Sequence, residues 1–271
     1  MKRKINILFP IETISRDLDY KLLLASLLLK DNEEIVIGQH DAIDEIISST
    51  TGGIYLGKTI FKDEFNSEAL NDNCTFYNRA KNNNYDVIYL DEEGGIYPGE
   101  RKRWESILDI RLNPRVLDCR DVIFTWGEFQ KNYFSEKKGS TRVINTGHPR
   151  FDLNKSQYKG LYKGEIESIV SKYTPYILVN TNFTLANSNL GMKYTFGYHS
   201  NDPDLIESWA HTSIICINFI KLIHRLSISF PKMNIIVRPH PSENPDYYKT
   251  TFNGLTNVIV NSDGPVGPWI M

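Results

Sequence analysis

The stretch DVIYLDEEGG, residues 86–95, joins a short apolar run to three carboxylates and two glycines. The run 86–90 has the length and composition of a strand that is buried on both faces, as strands of parallel sheets are. Polar residues that follow such a strand lie at the carboxyl edge of the sheet, where open α/β sheets bind their ligands. The stretch therefore predicts a parallel α/β sheet and a site at its edge.

Short apolar runs alternate with helical patterns on both sides of this strand, which is typical of βαβ units. Ser15 is the expected N-cap of the first helix, and the mixed segment 97–119 is expected to be partly helical. The other expected strands of this first series are 5–9, 35–37, 54–56, 121–126 and Arg142–Asn145, and the other expected helices are 18–29, 41–48, 67–82 and 129–134.

A second α/β series follows a polar segment that is rich in Lys, Tyr and Gly. We expect a first domain over 1–155, a linker over 156–174 and a second domain over 175–271. The second domain shows no helix after its last strand, so we expect it to be incomplete. Its expected elements are the strands Tyr176–Asn180, 234–237 and Val258–Val260, a long surface loop over 184–202 and a helix over 204–230.

The composition excludes several classes of protein. The chain has 271 residues, 41% of them hydrophobic and 24% charged, which is close to the globular average. The formal net charge of -2 offers no excess of positive charge for nucleic acid. Three cysteines without C-x-x-C spacing argue against disulfides and zinc sites. No apolar run predicts a transmembrane helix or a signal peptide, so we expect a cytoplasmic protein.

The first candidate site is the acidic cluster Asp91, Glu92 and Glu93. Crowded carboxylates can raise the pKa of one group and leave a neighbour ionised, as acid/base or nucleophilic catalysis requires. Gly94, which follows, allows a sharp turn and the close approach of a substrate. The alternative is a solvated acidic turn, and a metal site is less favoured because no histidine accompanies the acids.

The second candidate site is RPHPSE, residues 238–243, directly after a predicted strand. Arg238 supplies a permanent cation, two prolines including Pro241 stiffen the backbone around His240, and Ser242 can cap a following helix. Together with Glu243 this pattern favours binding of a phosphate or diphosphate. The alternative is that His240 has only a structural role.

Three weaker patterns also follow predicted strands. His148 and Arg150 in TGHPR resemble the second site chemically, although a rigid interdomain corner explains them equally well. Glu12 and Arg16 could bind an acceptor or form a surface ion pair.

Asn180 and Asn182 offer amides suited to sugar hydroxyls, yet such residues are also common in turns. The fingerprints of dinucleotide sites, P-loops and nucleophile elbows do not occur in the sequence.

Seven segments together resemble the bacterial surface carbohydrate biosynthesis proteins, in the same order along nearly the whole chain. They are ETISRDLDYKLLLA, YLDEEGG, FTWG, TGHPRFDL, ILVNTNF, IVRPHPSE and GPWI. That family is similar to glycosyltransferases of the GT-B type, with two Rossmann-like domains, and more distantly to Kdo- and sialic-acid-transferring enzymes with D/E-D/E-G and HP motifs. Family members normally continue beyond the last of these segments.

The resemblance also implies roles for individual residues. Glu92 and Glu93 would lie on the acceptor side, as general base or as the carboxylate that engages the sugar. His240 and Pro241 would match the HP motif and bind the nucleotide phosphate of the donor, while Arg238 would neutralise charge as the nucleotide leaves. Such a reaction needs a carboxylate to activate the attacking hydroxyl and cations or amides to stabilise the leaving group.

We therefore predict a metal-independent glycosyltransferase of capsule or lipopolysaccharide biosynthesis that needs no cofactor. The predicted partners are a nucleotide-activated sugar donor, with a CMP-linked donor favoured, and a glycan or lipid-linked acceptor. Peripheral contact with assembly machinery at the inner membrane is also expected. The alternatives are a transferase of polyol phosphate from a CDP-activated donor and a catalytically inactive binding or assembly fragment.

Overall fold

A computed structural model describes residues 5–30, 33–58, 72–93, 95–97 and 99–271. It divides the chain into two compact units, Met1–Tyr158 and Lys159–Met271. Both units are α/β, since each combines a parallel sheet with helices, as the sequence predicts.

Unit 1 is organised around a parallel sheet of six strands within the described residues. The strand order is β2-β1-β3-β4-β5-β6, so β2 lies on one side of β1 and the later strands lie on the other side. Because all of these strands are parallel, their carboxyl ends lie at one edge, and a change of side of this kind opens a crevice there, which is the usual place for a ligand. The strands are β1 (Ile5–Ile11), β2 (Glu33–Gln39), β3 (Gly53–Gly57), β4 (Tyr85–Leu90), β5 (Val122–Thr125) and β6 (Arg142–Asn145).

Helices cover both faces of this sheet because successive strand residues point to opposite sides. On one face of the sheet, Leu8, Tyr55 and Val87 pack against helical residues such as Ile43 and Leu108. On the other face, Phe9 and Leu90 pack against Leu24. The helices are α1 (Ile14–Leu28), α2 (His40–Ser49), α3 (Asp72–Asn82), α4 (Arg101–Arg111) and α5 (Glu128–Lys137), with 3-10 turns at Pro114–Val116, Pro149–Asn154 and Ser156–Tyr162.

Unit 2 contains a parallel sheet of three strands in the order β7-β8-β9. One face packs Ile235 and Val237 against Ile223, and the other packs Ile236 against Ile169 and Trp269. The strands are β7 (Tyr176–Asn180), β8 (Asn234–Arg238) and β9 (Val258–Val260), and the helices are α6 (Lys163–Tyr173), α7 (Gly191–Tyr198), α8 (Leu205–Ser229), α9 (Pro245–Thr251) and α10 (Gly267–Ile270).

Two expected helix caps were wrong, and a helix interrupts an expected loop. The N-cap of α1 is Thr13 rather than Ser15, because Asp17 accepts hydrogen bonds from the backbone amides that precede the helix. The N-cap of α9 is Asn244 rather than Ser242, because the Asn244 side chain accepts the amide of Asp246. Helix α7 lies inside the segment 184–202, and α6 lies inside the segment 156–174.

Helix α8 alone among the described helices has the length and apolar composition of a membrane span. One of its faces packs on the three-stranded sheet through residues such as Phe219 and Ile223. Part of the expected helix 67–82 lies outside the described residues.

Candidate functional site

A cleft of about 820 Å³ opens at the carboxyl edge of the sheet in unit 1. Residues that follow β4 and β5 line it, because parallel strands deliver their carboxyl ends to the same edge. Charged groups lie at one side and aromatic rings form most of the remaining wall. The lining residues are Arg16, Glu92, Glu93, Gly95, Ile96, Tyr97, Trp104, Trp126, Gly127, Phe129, Gln130, Arg150 and Phe151.

Asp91, the first carboxylate after β4, is buried beneath this cleft. Arg111 Nη1 and the backbone amide of Glu93 each donate to Asp91 Oδ1 at 3.0 Å. Its other oxygen, Oδ2, has no hydrogen-bond partner among the described residues. Burial raises the pKa of Asp91 above its ordinary value, and the charge of Arg111 only partly opposes this.

Glu92, the second carboxylate, is the centre of a buried ionic network. Tyr20 and Lys21 donate to its Oε1, with Lys21 Nζ at 3.0 Å. On the other oxygen, Oε2, His148 Nε2 and Arg150 Nη2 each lie at 3.3 Å. Burial alone would raise the pKa of Glu92, but the bond to His148, the charge of Lys21 and the bond from Tyr20 hold it at about 2. Glu92 is therefore an ionised anchor of the site.

The partners of His148 fix its tautomer. The backbone amide of Arg150 donates to His148 Nδ1 at 3.1 Å, so this nitrogen carries no proton. The proton is then on Nε2, which donates to Glu92. His148 is buried and packs edge-on against Tyr20, so it links the segment after β6 to helix α1 and to the acidic segment.

Glu93, the third carboxylate, is the exposed one and faces the cleft. Arg16 Nη1 donates to its Oε1 at 2.9 Å, Arg111 Nη2 donates to its Oε2 at 3.0 Å, and Lys58 Nζ lies 3.7 Å from Oε1. Burial opposes ionisation, but the bond from Arg111 and the charge of Lys58 outweigh it and lower the pKa of Glu93. Its 42% exposed side chain makes it the acidic-cluster member that a ligand can reach.

Glu12 extends this charged network towards the end of β1. Arg16 Nη2 donates to Glu12 Oε2 at 2.7 Å, and Lys58 donates to the same oxygen. Arg16 thus bridges Glu12 and Glu93, and its Nε also donates to the buried Asp17. One arginine therefore holds Asp17 on its own helix and two further carboxylates, Glu12 after β1 and Glu93 after β4.

Aromatic rings form most of the remaining wall of the cleft. Trp126 Nε1 donates to the backbone oxygen of Asp91 at 2.6 Å, which fixes the ring beside the acidic segment. Gly95 lies so close to this ring that a Cβ atom would stand 2.3 Å from Trp126 Cζ3. Phe151 meets Trp126 edge-on at 5.6 Å, and Phe129 meets Trp104 in the same way. Aromatic faces beside carboxylates and arginines suit the apolar and hydroxyl faces of a sugar.

The electrostatics of the network are balanced. Its carboxylates are Glu12, Asp17, Asp91, Glu92 and Glu93, and its cations are Arg16, Lys21, Lys58, Arg111 and Arg150. The five cations favour the ionised forms of the five carboxylates, and burial opposes this most clearly at Asp91, whose pKa is raised. Among the described residues, no group of three or more His, Cys, Asp or Glu side chains is placed to hold a metal.

The second candidate site lies at the carboxyl end of β8 in unit 2, and the buried Glu243 organises it. Glu243 Oε2 accepts the His240 backbone amide at 2.7 Å and Thr181 Oγ1 at 2.6 Å, while Tyr248 donates to Oε1 at 2.6 Å. The Ser242 amide donates to His240 Nδ1 at 3.2 Å, so the proton of a neutral His240 is on Nε2. The exposed ring therefore offers an N–H donor.

Arg238 is buried and holds the segment after β9. Its Nη1 donates to the backbone oxygen of Asp263 at 3.0 Å, and its Nη2 donates to that of Gly264 at 2.8 Å. The guanidinium also lies 5.1 Å from the centre of the Trp269 ring. These partners make Arg238 a positioning residue of this segment.

The structure brings most of the predicted residues together within each unit. In unit 1, the acidic cluster, Glu12, Arg16, His148 and Arg150 form one network. In unit 2, Asn180 and Asn182 flank Thr181, the residue that contacts Glu243. Pro241 and Ser242 lie in the turn that Glu243 anchors, and the Pro241 backbone oxygen accepts Asn189 Nδ2 at 3.2 Å. Gly94 lies outside the described residues.

Several residues of the network were not predicted as site residues. Tyr20 and Lys21 lie on α1 and contact Glu92. The sequence indicates them only as two adjacent polar side chains in a largely apolar helix. Arg111 lies on α4, 20 residues after Asp91 in the sequence, and no local sequence pattern identifies it as a partner of this carboxylate. Searches against protein-family models and against curated proteins found no match.

Proposed function

We propose that this protein is a glycosyltransferase of bacterial surface polysaccharide biosynthesis, in which unit 1 binds the acceptor and unit 2 binds a nucleotide-activated donor. The proposal includes the GT-B arrangement of two Rossmann-like domains and a cytoplasmic location, with peripheral contact at the inner membrane. The observation that supports it best is the cleft of unit 1, where an exposed carboxylate faces an aromatic wall at the ligand-binding edge of a parallel sheet.

Glu93 is the proposed general base for the acceptor hydroxyl. It is the exposed member of the acidic cluster, whereas both oxygens of Glu92 already accept hydrogen bonds from the buried side chains of Tyr20 and His148. Arg111 and Arg16 lower the pKa of Glu93, so their hydrogen bonds have to weaken before the carboxylate can take the proton of an entering hydroxyl. Trp126, Phe129 and Phe151 are the proposed stacking surface for the acceptor sugar.

His240 is the proposed contact for the donor phosphate. Its ring is exposed, and the Ser242 amide on Nδ1 leaves Nε2 as the N–H donor. Arg238 already donates to three backbone oxygens, so we propose that it acts by positioning the segment after β9. Stabilisation of a leaving phosphate by such donors is the usual requirement for this reaction class.

A donor screen tests the proposal. The purified protein is incubated with CMP-, CDP-, UDP- and GDP-activated sugars and CDP-activated polyols together with glycan acceptors, and release of the free nucleotide is measured. We expect Glu93→Gln and His240→Ala each to lower turnover at least about 100-fold while the circular dichroism spectrum stays unchanged. Matched controls are Glu136→Gln on α5 and His199→Ala after α7, both at exposed positions. Full activity of both site variants would contradict the assignment.

A carbohydrate-binding protein without transferase activity is the second candidate. The low pKa of Glu93 favours it, because a carboxylate held by two arginines is a weak base and a good sugar ligand. Calorimetry separates the two functions. Binding of a glycan without any binding of CMP, CDP or UDP at millimolar concentration would favour this second candidate.

A further inference from the structure

Asp91 and Glu93 share one arginine. Arg111 Nη1 donates to Asp91 Oδ1 and Arg111 Nη2 donates to Glu93 Oε2, each at 3.0 Å. Both donors belong to one planar guanidinium, so a single positive charge is divided between the two carboxylates. A change of charge on either carboxylate therefore changes the effect of Arg111 on the other.

The surroundings of the two carboxylates are unequal. Asp91 is 2% exposed, and among the described residues Arg111 is the one cation that donates to it while Oδ2 has no hydrogen-bond partner. The side chain of Glu93 is 42% exposed and also meets Arg16 Nη1 at 2.9 Å and Lys58 Nζ at 3.7 Å. Because a negative charge costs most at a buried oxygen without a donor, Asp91 gains more than Glu93 by taking a proton.

The other titratable groups around this pair keep that order. Burial and the charge of Asp91 raise the pKa values of Tyr89 and Tyr97, so both phenols stay neutral while the carboxylates titrate. Glu92 pairs with a separate set of cations. Within the described residues, the charged and titratable groups that face the pair are Arg16 on α1, Lys58 after β3, Tyr89 on β4, Tyr97 after β4 and Arg111 on α4.

We propose that Asp91 takes the first proton of this pair and that, while it is ionised, it is the positioning residue that holds part of the charge of Arg111 away from Glu93. With Asp91 ionised, Arg111 serves two carboxylates and Asp91 repels the charge of Glu93, so Glu93 has its highest proton affinity. With Asp91 protonated, Arg111 acts on Glu93 alone, and Glu93 is a weaker base that stays ionised. The consequence for catalysis rests on the proposed function of Glu93 as general base, whereas the order of protonation does not.

Carboxyl-carbon NMR titration of the full chain tests the order of protonation without any substrate. Aspartate and glutamate are isotope-labelled at their carboxyl carbons, and the signals of Asp91 and Glu93 are assigned through their backbone correlations. We expect Asp91 to titrate at a higher pH than Glu93. Each signal is also expected to show a smaller second step at the pH where the other group titrates.

Two substitutions are expected to give unequal results in this titration. Glu93→Gln removes the neighbouring negative charge and leaves Arg111 to Asp91 alone, so the proton affinity of Asp91 is expected to fall about tenfold. Asp91→Asn is expected to leave the main step of Glu93 nearly unchanged, because Asp91 is already neutral when Glu93 titrates. The matched controls are Glu136→Gln at an exposed position on α5 and Asp44→Asn on α2, where the aspartate pairs with Arg79. Both controls are expected to leave the two titrations unchanged.

The pH dependence of kcat/KM follows the same order in an active transferase. We expect the protein to lose about threefold in kcat/KM at the upper step, where Asp91 takes its proton, and the remaining activity at the lower step, where Glu93 does. Asp91→Asn is expected to start from the threefold lower value and to show the lower step alone. A single step that Asp91→Asn lowers equally at every pH would show a purely structural role and would overturn the proposal.

The titrations also separate this proposal from the proposed function. Titration of Glu93 at a higher pH than Asp91, or an Asp91 titration that Glu93→Gln leaves unchanged, would overturn the proposal even in an active transferase. Glu93 is exposed, so Glu93→Gln supplies this test even if Asp91→Asn does not fold. A failed donor screen together with the expected titrations would overturn the proposed function alone.

Discussion

Among single residues, Glu92 makes the folded state of unit 1 sensitive to acid. Its pKa of about 2 in the folded protein lies below the ordinary value of 4.5. A carboxylate whose pKa is lowered by folding stabilises the folded state fully above its unfolded pKa, and this stabilisation is lost as the pH falls through the folded value. The relevant window is therefore between about pH 4.5 and pH 2.

We expect this titration to contribute about 3 kcal/mol to the free energy of unfolding at neutral pH. Urea unfolding of the protein and of Glu92→Gln from pH 7 to pH 2.5 measures it. The difference between the two free energies is expected to be constant above pH 5 and to shrink by most of that amount by pH 2.5, because glutamine does not titrate. A difference that stays constant down to pH 2.5 would contradict the assignment of Glu92 as the ionised anchor.

Gly95 determines the shape of the cleft at the same scale. A Cβ atom there would stand 2.3 Å from the Trp126 ring, so Gly95→Ala must displace either the ring or the acidic segment. We expect it to lower the free energy of unfolding by about 1–3 kcal/mol and to change the near-ultraviolet circular dichroism of tryptophan. Gly127→Ala is the control, since a Cβ at Gly127 meets no atom within 4 Å. Equal effects of the two substitutions would refute the close packing.

At the scale of the element, the segment after β9 depends on Arg238. The buried guanidinium satisfies the backbone oxygens of Asn261, Asp263 and Gly264. Arg238→Met removes these bonds and leaves three backbone oxygens without their donor. We expect it to lower the free energy of unfolding of unit 2 by about 2–3 kcal/mol.

Hydrogen exchange locates this effect within the element. The amides of 258–264 are expected to lose protection in Arg238→Met, whereas those of β7 keep theirs until global unfolding. Lys249→Met, which removes an exposed cation from α9, is expected to change the stability by less than about 0.5 kcal/mol. Unchanged protection at 258–264 would mean that the segment is held by other contacts.

At the scale of the whole molecule, the two units have separate sheets and separate apolar clusters. One pair of clusters belongs to the six-stranded sheet and the other pair to the three-stranded sheet. A unit with its own core can fold alone. We therefore expect a fragment of residues 1–158 to unfold cooperatively in urea and to keep the acid sensitivity of the complete chain.

Two measurements check this independence. The fragment 1–158 and its Glu92→Gln variant are compared by urea unfolding at pH 7 and pH 3, and the fragment 159–271 serves as the control without the ionic network. Loss of cooperative unfolding in 1–158 would show that unit 1 needs the rest of the chain. A pH effect of equal size in 159–271 would place the acid sensitivity outside the network.

Many elements of the fold could be predicted because their signals are local. The predicted strands 142–145, 176–180 and 258–260 agree with β6, β7 and β9 to the residue, since each contains a short aliphatic run that local sequence reveals. The caps of α1 and α9 could not be predicted, because the competition between Thr13 and Ser15, or between Ser242 and Asn244, is decided by contacts of neighbouring side chains.

The α/β class and the position of the acidic segment at a strand end follow from the sequence alone. These follow from periodicity and chain direction, which need no knowledge of distant contacts. The tertiary structure is needed to identify Glu92 as the ionised anchor and Glu93 as the carboxylate that faces the cleft. Asp91, Glu92 and Glu93 are adjacent in sequence, but Arg111, His148 and Arg16 reach them from three distant segments. Their pKa values differ for that reason, since burial and charge partners are properties of the folded chain.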